Sequence, residues 1–245
     1  MNYEKLSGSI RAVIDRRPGD NGAYSDLFSL CREWETEDFS AAHKVNKELL
    51  ALSADQVVRG GGVKFYEQWR RCLLFEAPHD FDSFMTYIEL DRKPEKRFYA
   101  PRKHYLRPMV QGFQDVLDGK LRLLTISMPK RAGKSQTGIN FVNMLSGKFP
   151  DRSTLMEGTG DDLVKSFYNG CLEYLTVPNE YLFYDVFPDA RLVQTNADTK
   201  TVNLKSKSRF PTIMCRSIDA RQVGLSEATN VLYLDCLLYT SPSPR

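Results

Sequence analysis

The sequence predicts an α/β fold, a parallel sheet layered with helices and preceded by a helical leader. Three observations predict it. Residues 1 to about 75 read as mostly helical. From residue 121 onward, short apolar runs of strand type alternate with longer amphipathic runs of helical period. The first such strand and helix are joined by a tight loop containing glycine. The expected boundaries are a leader over 1–76, a sheet-bearing domain over 77–235 and a separate tail over 236–245.

In the leader, "SAAHKVNKELLALSADQVV" (40–58) has apolar residues on one side and Ser40 as N-cap. The glycines at 60–62 break it, and "KFYEQWRRCLLFEA" (64–77) reads as the next helix. "FDSFMTYIEL" (81–90) is apolar enough to be packed. "KHYLRPMVQGFQDVLDG" (103–119) predicts a helix interrupted early by Pro108 and ended at Asp118–Gly119. "LRLLTIS" (121–127) predicts a buried strand. "KSQTGINFVNMLSG" (134–147) predicts a helix, with Ile139, Val142 and Leu145 on one face. "STLMEGT" (153–159) is the second strand, and "DDLVKSFYNGCLEYL" (161–175) a helix capped by Asp161. "TVNL" (201–204) and "TIMCRSI" (212–218) form a hairpin across "KSKSRFP", and "NVLYLD" (230–235) is a final buried strand. There is no internal repeat.

The chain has 245 residues, of which 42% are hydrophobic, enough for a real core. A net charge of +3 is too small to argue for nucleic acid alone. Two local clusters are more basic, at 91–107 and 203–209. The five cysteines (31, 72, 171, 215, 236) are odd in number and lack metal-ligand spacing, which suits reduced thiols. The three histidines (43, 79, 104) are unclustered in sequence, which argues against a zinc site. No signal-peptide core or membrane-length apolar run occurs, so a soluble intracellular protein is expected.

The stretch with chemical content is "MPKRAGKS" (128–135). Gly133-Lys134-Ser135 matches the end of G-x-x-x-x-G-K-[ST]. Gly133 lets backbone N–H groups approach phosphate oxygens, Lys134 brings an ammonium to the β and γ phosphates, and Ser135 can ligate Mg²⁺. The helix opening at 134 aims its positive end at the same place. Met128 stands where such loops carry glycine, and Pro129 stiffens the turn. Ala132 completes the loop. Lys130 and Arg131 add two cations, of which Arg131 is a candidate arginine finger. The competing reading is a basic turn that caps a helix. Asp235, at the end of "VLYLD", is the acid expected to hold Mg²⁺. The catalytic acid that usually follows is replaced by Cys236.

The last ten residues, "CLLYTSPSPR", resemble the translation of a transposon-end sequencing adapter, which implies that native sequence ends at or near Asp235. The run from about 79 to 235 resembles the large subunit of a tailed-phage terminase. The likeness is carried by "HDFDSFMTYIELDRKPEKRFYAPRKHYLRPMVQGFQDVLDGKLRLLTISMPKRAGKS", "FPDRSTLMEGTGDDLVKSFYNG", "DVFPDARLVQTNADTKTVNL" and "FPTIMCRSIDARQVGLSEATNVLYLD". Terminases often read "PPR.GKS" where this chain has "MPKRAGKS".

The resemblance implies a P-loop NTPase with a RecA-like, Rossmann-like sheet, incomplete here. It implies ATP and Mg²⁺ as ligands and double-stranded DNA as the translocated partner. By family, it also implies a portal protein, a terminase small subunit, a homo-oligomeric ring and the bacterial host's cytoplasm. Arg131 and Lys134 would act in catalysis, the 128–135 loop and Tyr99 or its neighbours in nucleotide binding, and Ser135 and Asp235 at the metal. A C-terminal nuclease would belong to the family but has no counterpart in these residues, and without the catalytic acid hydrolysis is expected to be negligible. Two alternatives stay open: another P-loop DNA translocase or helicase, and a non-enzymatic phage structural or adaptor protein with an incidental GKS turn.

Overall fold

The computed structural model describes residues 2–218 and 227–235. The chain divides into two compact units at Tyr87 and Ile88, later than the boundary expected at 76.

The described part of the first unit is helical: α1 Tyr3–Arg16, α2 Asn21–Trp34, α3 Phe39–Val58, α4 Gly62–Glu76 and α5 Phe81–Tyr87. Side-chain caps start the first three. Asn2 Oδ1 accepts from Lys5 N at 3.0 Å, Asp20 Oδ1 from Gly22 N at 3.1 Å and Asp38 Oδ1 from Ala41 N at 2.9 Å. Each supplies a first-turn N–H with an acceptor, and the two aspartates also favour the positive helix end. Asp38 rather than Ser40 therefore caps α3. Its backbone is extended (φ −142°, ψ 91°), whereas Ser40 already lies inside the helix. The core gathers Ile14, Tyr24, Leu27, Cys31, Leu49 and Phe65, with Tyr24 edge-on to Phe65 at 5.1 Å between centroids. Burial of each large apolar side chain contributes about 1.5–3 kcal/mol. The same packing brings together two histidines that are far apart in sequence: the rings of His43 and His79 lie 5.0 Å apart.

The second unit is mixed α/β. Its helices are α6 Lys103–Leu117, α7 Lys134–Lys148, α8 Asp161–Thr176 and α9 Phe183–Val186. Its strands are β1 Thr154–Gly158, β2 Leu192–Asn196, β3 Thr201–Leu204, β4 Ile213–Ser217 and β5 Val231–Asp235. They form one sheet in the order β2-β3-β4-β1-β5. β1 pairs in parallel with β4 and β5, while β2–β3 and β3–β4 are antiparallel. The sheet is thus mixed, not wholly parallel. The expected hairpin is present, with Thr201 opposite Met214 and Val202 opposite Ile213. β2 was not anticipated. On α7, residues 137–147 are all buried. Phe141 packs on Phe113 at 4.5 Å, and Phe167 on Tyr233 at 5.2 Å.

Two further expectations are corrected. Residues 121–127 form no strand and are not buried. Leu123 is 81% exposed, while Leu124 and Ile126 are half-buried. Alternation is present, and Leu124 rests on α6 at Gly112, but no neighbouring strand among the described residues completes a ladder. Alternation without a partner leaves extended chain rather than sheet. Pro108 does not interrupt α6. It lies on the exposed side, next to exposed Arg107, where the helix carbonyl it leaves without a donor faces solvent. Among the described residues no helix is long and apolar enough to cross a membrane.

Candidate functional site

The 128–135 loop leads directly into α7. Its last turn requires glycine. Gly133 has φ +97° and ψ 13°, and a Cβ there would lie 2.9 Å from Phe98 Cζ. Both the left-handed backbone and the nearby ring would strain any other residue there. Arg131 also takes positive φ (63°) with its side chain exposed, so two of the three residues before Lys134 are bent into the left-handed region. The loop is closed by Ala132 N donating to Pro129 O at 3.4 Å, and α7 starts with Thr137 N donating to Gly133 O at 3.0 Å. The first-turn N–H groups of such a helix have no intrahelical acceptor, which suits them to an anion.

Lys134 reaches back across the loop. Its Nζ donates to Met128 O at 2.5 Å and to Pro129 O at 3.2 Å. An ammonium carries three N–H donors; these two contacts hold it in place and leave the third for an incoming anion. Met128, the residue that departs from the glycine pattern, acts here through its backbone carbonyl, which any residue supplies.

Ser135 Oγ donates to Asp235 Oδ2 at 2.7 Å, joining the start of α7 to the end of β5. Asp235 is only 8% exposed. A buried carboxylate facing a neutral hydroxyl favours a cation nearby. The 2.7 Å separation is that of an ordinary hydroxyl–carboxylate hydrogen bond, and both groups are oxygen donors of the kind Mg²⁺ takes, directly or through water. The helix and strand are held close by Tyr233. Its hydroxyl lies against Gly138 so tightly that a Cβ at 138 would collide with it. Burial, with the Asp235 charge behind it, pushes that hydroxyl's pKa well above the ordinary tyrosine range.

Tyr99 lies elsewhere. Its ring is 1% exposed, within the core, with Lys103 Nζ 5.6 Å from the centroid. An adenine has no open face of Tyr99 to stack on. The neighbouring aromatic that meets the loop is Phe98, half-buried against Gly133. Glu89, which sequence reading passed over, positions it. This buried carboxylate accepts from Phe98 N at 2.8 Å and Tyr99 N at 2.9 Å. A lone acid nine residues upstream carries no sequence signal for that role.

The basic cluster at 91–107 spends much of its charge internally. Arg92 contacts Glu89 at 3.4 Å and Glu180 at 3.2 Å, and Lys96 contacts Glu180 at 2.9 Å. Arg97 Nε donates to Arg92 O at 3.0 Å, and Arg102 Nη1 to Phe98 O at 3.0 Å. At 203–209, Lys205 pairs with Asp151 at 2.8 Å. These cations brace the fold. Cys236 and the 236–245 tail fall outside the described residues. Lys134 and Ser135, consecutive at the start of α7, are therefore brought together with Asp235 from the end of β5, with Arg131 exposed in the loop and Tyr99 apart from them. Comparisons of the chain with protein-family models, with curated proteins and with solved structures each gave no match.

Proposed function

We propose that the second unit is the nucleotide-binding part of an ATP-driven DNA-packaging motor, taking Mg²⁺–ATP at the 128–135 loop and Asp235. The Ser135–Asp235 hydrogen bond is the observation that carries this reading. A turn that merely capped a helix would have no reason to meet a buried acid from the end of a separate strand. When bound, Mg²⁺ would offset the negative charge of the β and γ phosphates.

The chain's own groups have distinct tasks. Gly133 opens the backbone so that first-turn N–H groups can approach an anion. Lys134, held on two loop carbonyls, directs its remaining donor outward. Ser135 donates its proton to Asp235 and so turns its lone pairs towards the metal position. Asp235 supplies the buried negative charge that selects a cation. Arg131, exposed at the rim, is the candidate for stabilising charge on the transferring phosphoryl group. The choice of a terminase over another P-loop translocase rests on the sequence resemblance, and double-stranded DNA, the portal, the small subunit and the ring come with it.

The test is titration of the purified chain with Mg²⁺–ATP, followed by calorimetry, alongside Lys134→Ala and Asp235→Asn. Saturable binding that Lys134→Ala weakens roughly 10- to 100-fold supports the reading. No binding at millimolar nucleotide, with Lys134→Ala indistinguishable from the parent, overturns it in favour of a non-enzymatic structural or adaptor protein.

A further inference from the structure

In the first unit, Glu35, His43 and His79 each offer a ligand atom, and these atoms all lie within 4.8 Å of one another. Glu35 directly follows α2, His43 lies in α3, and His79 lies between α4 and α5. His43 is the best fixed of the three. Its Nδ1 is 3.0 Å from Glu76 Oε1, its Nε2 is 3.3 Å from Glu35 Oε1, and its ring is stacked on Phe75 at 4.5 Å. Glu76 is buried and is itself held by Asn46 Nδ2 at 2.8 Å.

We propose that Glu35, His43 and His79 form a binding site for a zinc-type divalent transition metal, with Glu76 as the carboxylate that orients His43. Four features support this. The ligand set is two imidazoles and one carboxylate, a combination suited to Zn²⁺ and poorly suited to Mg²⁺, which favours oxygen ligands. Tetrahedral ligands at zinc distances stand about 3.3 Å apart, the observed Nε2–Oε1 separation; the widest pair must close by about 1.5 Å. The outer carboxylate is already in place on His43 Nδ1, as metal-binding histidines commonly require. His43 also lines an open cleft of about 620 Å³ with Phe39 and Glu48, and the Phe39 ring covers both histidines, 4.1 Å from His43 and 4.8 Å from His79. Lys47, on the same cleft, is neutralised by Asp80 at 2.9 Å.

Both ring nitrogens of His43 lie within hydrogen-bond distance of carboxylate oxygens. A Zn²⁺ ion would be held by the Nε2 lone pair of the neutral ring, with Nδ1–H donating to Glu76. The ion would then tie the end of α2, the start of α3 and the α4–α5 turn together.

Competition between the full chain and a chromophoric zinc chelator tests the site, using Zn²⁺ alone and then Co²⁺ as a spectroscopic probe. Expected are one equivalent of Zn²⁺ bound per chain, a loss of affinity of at least tenfold in His79→Ala and in Glu35→Gln, and about 10- to 100-fold in Glu76→Gln. The Co²⁺ spectrum should show nitrogen and oxygen ligation without a thiolate charge-transfer band. His79→Ala and Glu35→Gln are the deciding variants, since both alter partly exposed side chains and are expected to keep the helical circular dichroism of the parent. No zinc uptake, uptake unchanged in both variants, or a thiolate band would each overturn the proposal.

Discussion

Ser135 and Asp235, 100 residues apart in sequence, are joined by a 2.7 Å hydrogen bond between the first turn of one helix and the last residue of a strand. Neither residue is informative alone. Serine is common at helix starts, and an aspartate after an apolar run often ends a strand. Their contact gives both a shared purpose and makes the site accessible to mutation.

Ser135→Ala removes the donor that faces a buried carboxylate. It is expected to lower stability by about 1–3 kcal/mol and to abolish the Mg²⁺-dependent part of nucleotide affinity. Asp235→Asn keeps an acceptor for Ser135 but removes the charge. Chemical denaturation should therefore find it close to the parent, while calorimetry finds the same loss of Mg²⁺ dependence.

Lys134→Ala deletes a charged donor aimed at the anion position. A hydrogen bond to a charged group is worth about 1.5–3 kcal/mol, so ATP affinity should fall roughly 10- to 100-fold. Circular dichroism should be unchanged, because the carbonyls of Met128 and Pro129 become open to water.

Gly133→Ala meets two separate obstacles, a φ of +97° and the ring of Phe98. The expected cost is about 1–3 kcal/mol in denaturant. Adding Phe98→Leu should recover only part of it, because the backbone strain remains. Full recovery would mean that the aromatic wall, and not the left-handed turn, is what requires glycine.

Gly138→Ala should destabilise by about 1–3 kcal/mol through overpacking against Tyr233. It should also weaken nucleotide binding by pushing β5, and Asp235 with it, away from α7. Tyr233→Leu in the same chain should restore much of both, as read by thermal unfolding and calorimetry.

Burial pushes the thiols of Cys31, Cys72 and Cys215 up to about 12, and that of Cys171 well above its ordinary value. These groups are raised in the folded chain. The stability they represent is therefore complete below the unfolded value of about 9 and is lost as pH climbs towards 12. Denaturation midpoints should fall steadily across that window. In native protein near neutral pH, mass spectrometry after alkylation should find these four thiols unmodified until denaturant is added.

Much of the second unit was legible because its signals are local. The helical stripe of Ile139, Val142 and Leu145 gave α7, and "VLYLD" gave β5. The helix start at Lys134 was readable because Gly-Lys-Ser opens an amphipathic run, but the strand expected to precede that loop did not form. Features that depend on neighbours were not. "LRLLTIS" has the alternation of a strand but lacks a partner along its edge, whereas "LVQTN" (192–196), polar and exposed, becomes a strand because β3 lies beside it. Asp38 took the cap from Ser40 because cap position depends on where the backbone leaves the helix. Tyr99, plausible as a base platform by its place before the loop, was drawn inside when Glu89 bound the backbone at 98 and 99. His43 and His79 carried no spacing signal, because helix packing alone unites them.

β5 has one further consequence. Among the described residues it is the last strand of its sheet, and Leu232 and Leu234 on it are 49% and 41% exposed. Its outer rim offers open main-chain donors and acceptors flanked by greasy side chains, a template for recruiting another extended segment. Another extended segment paired along this rim would lie beside the carboxylate that ends the strand.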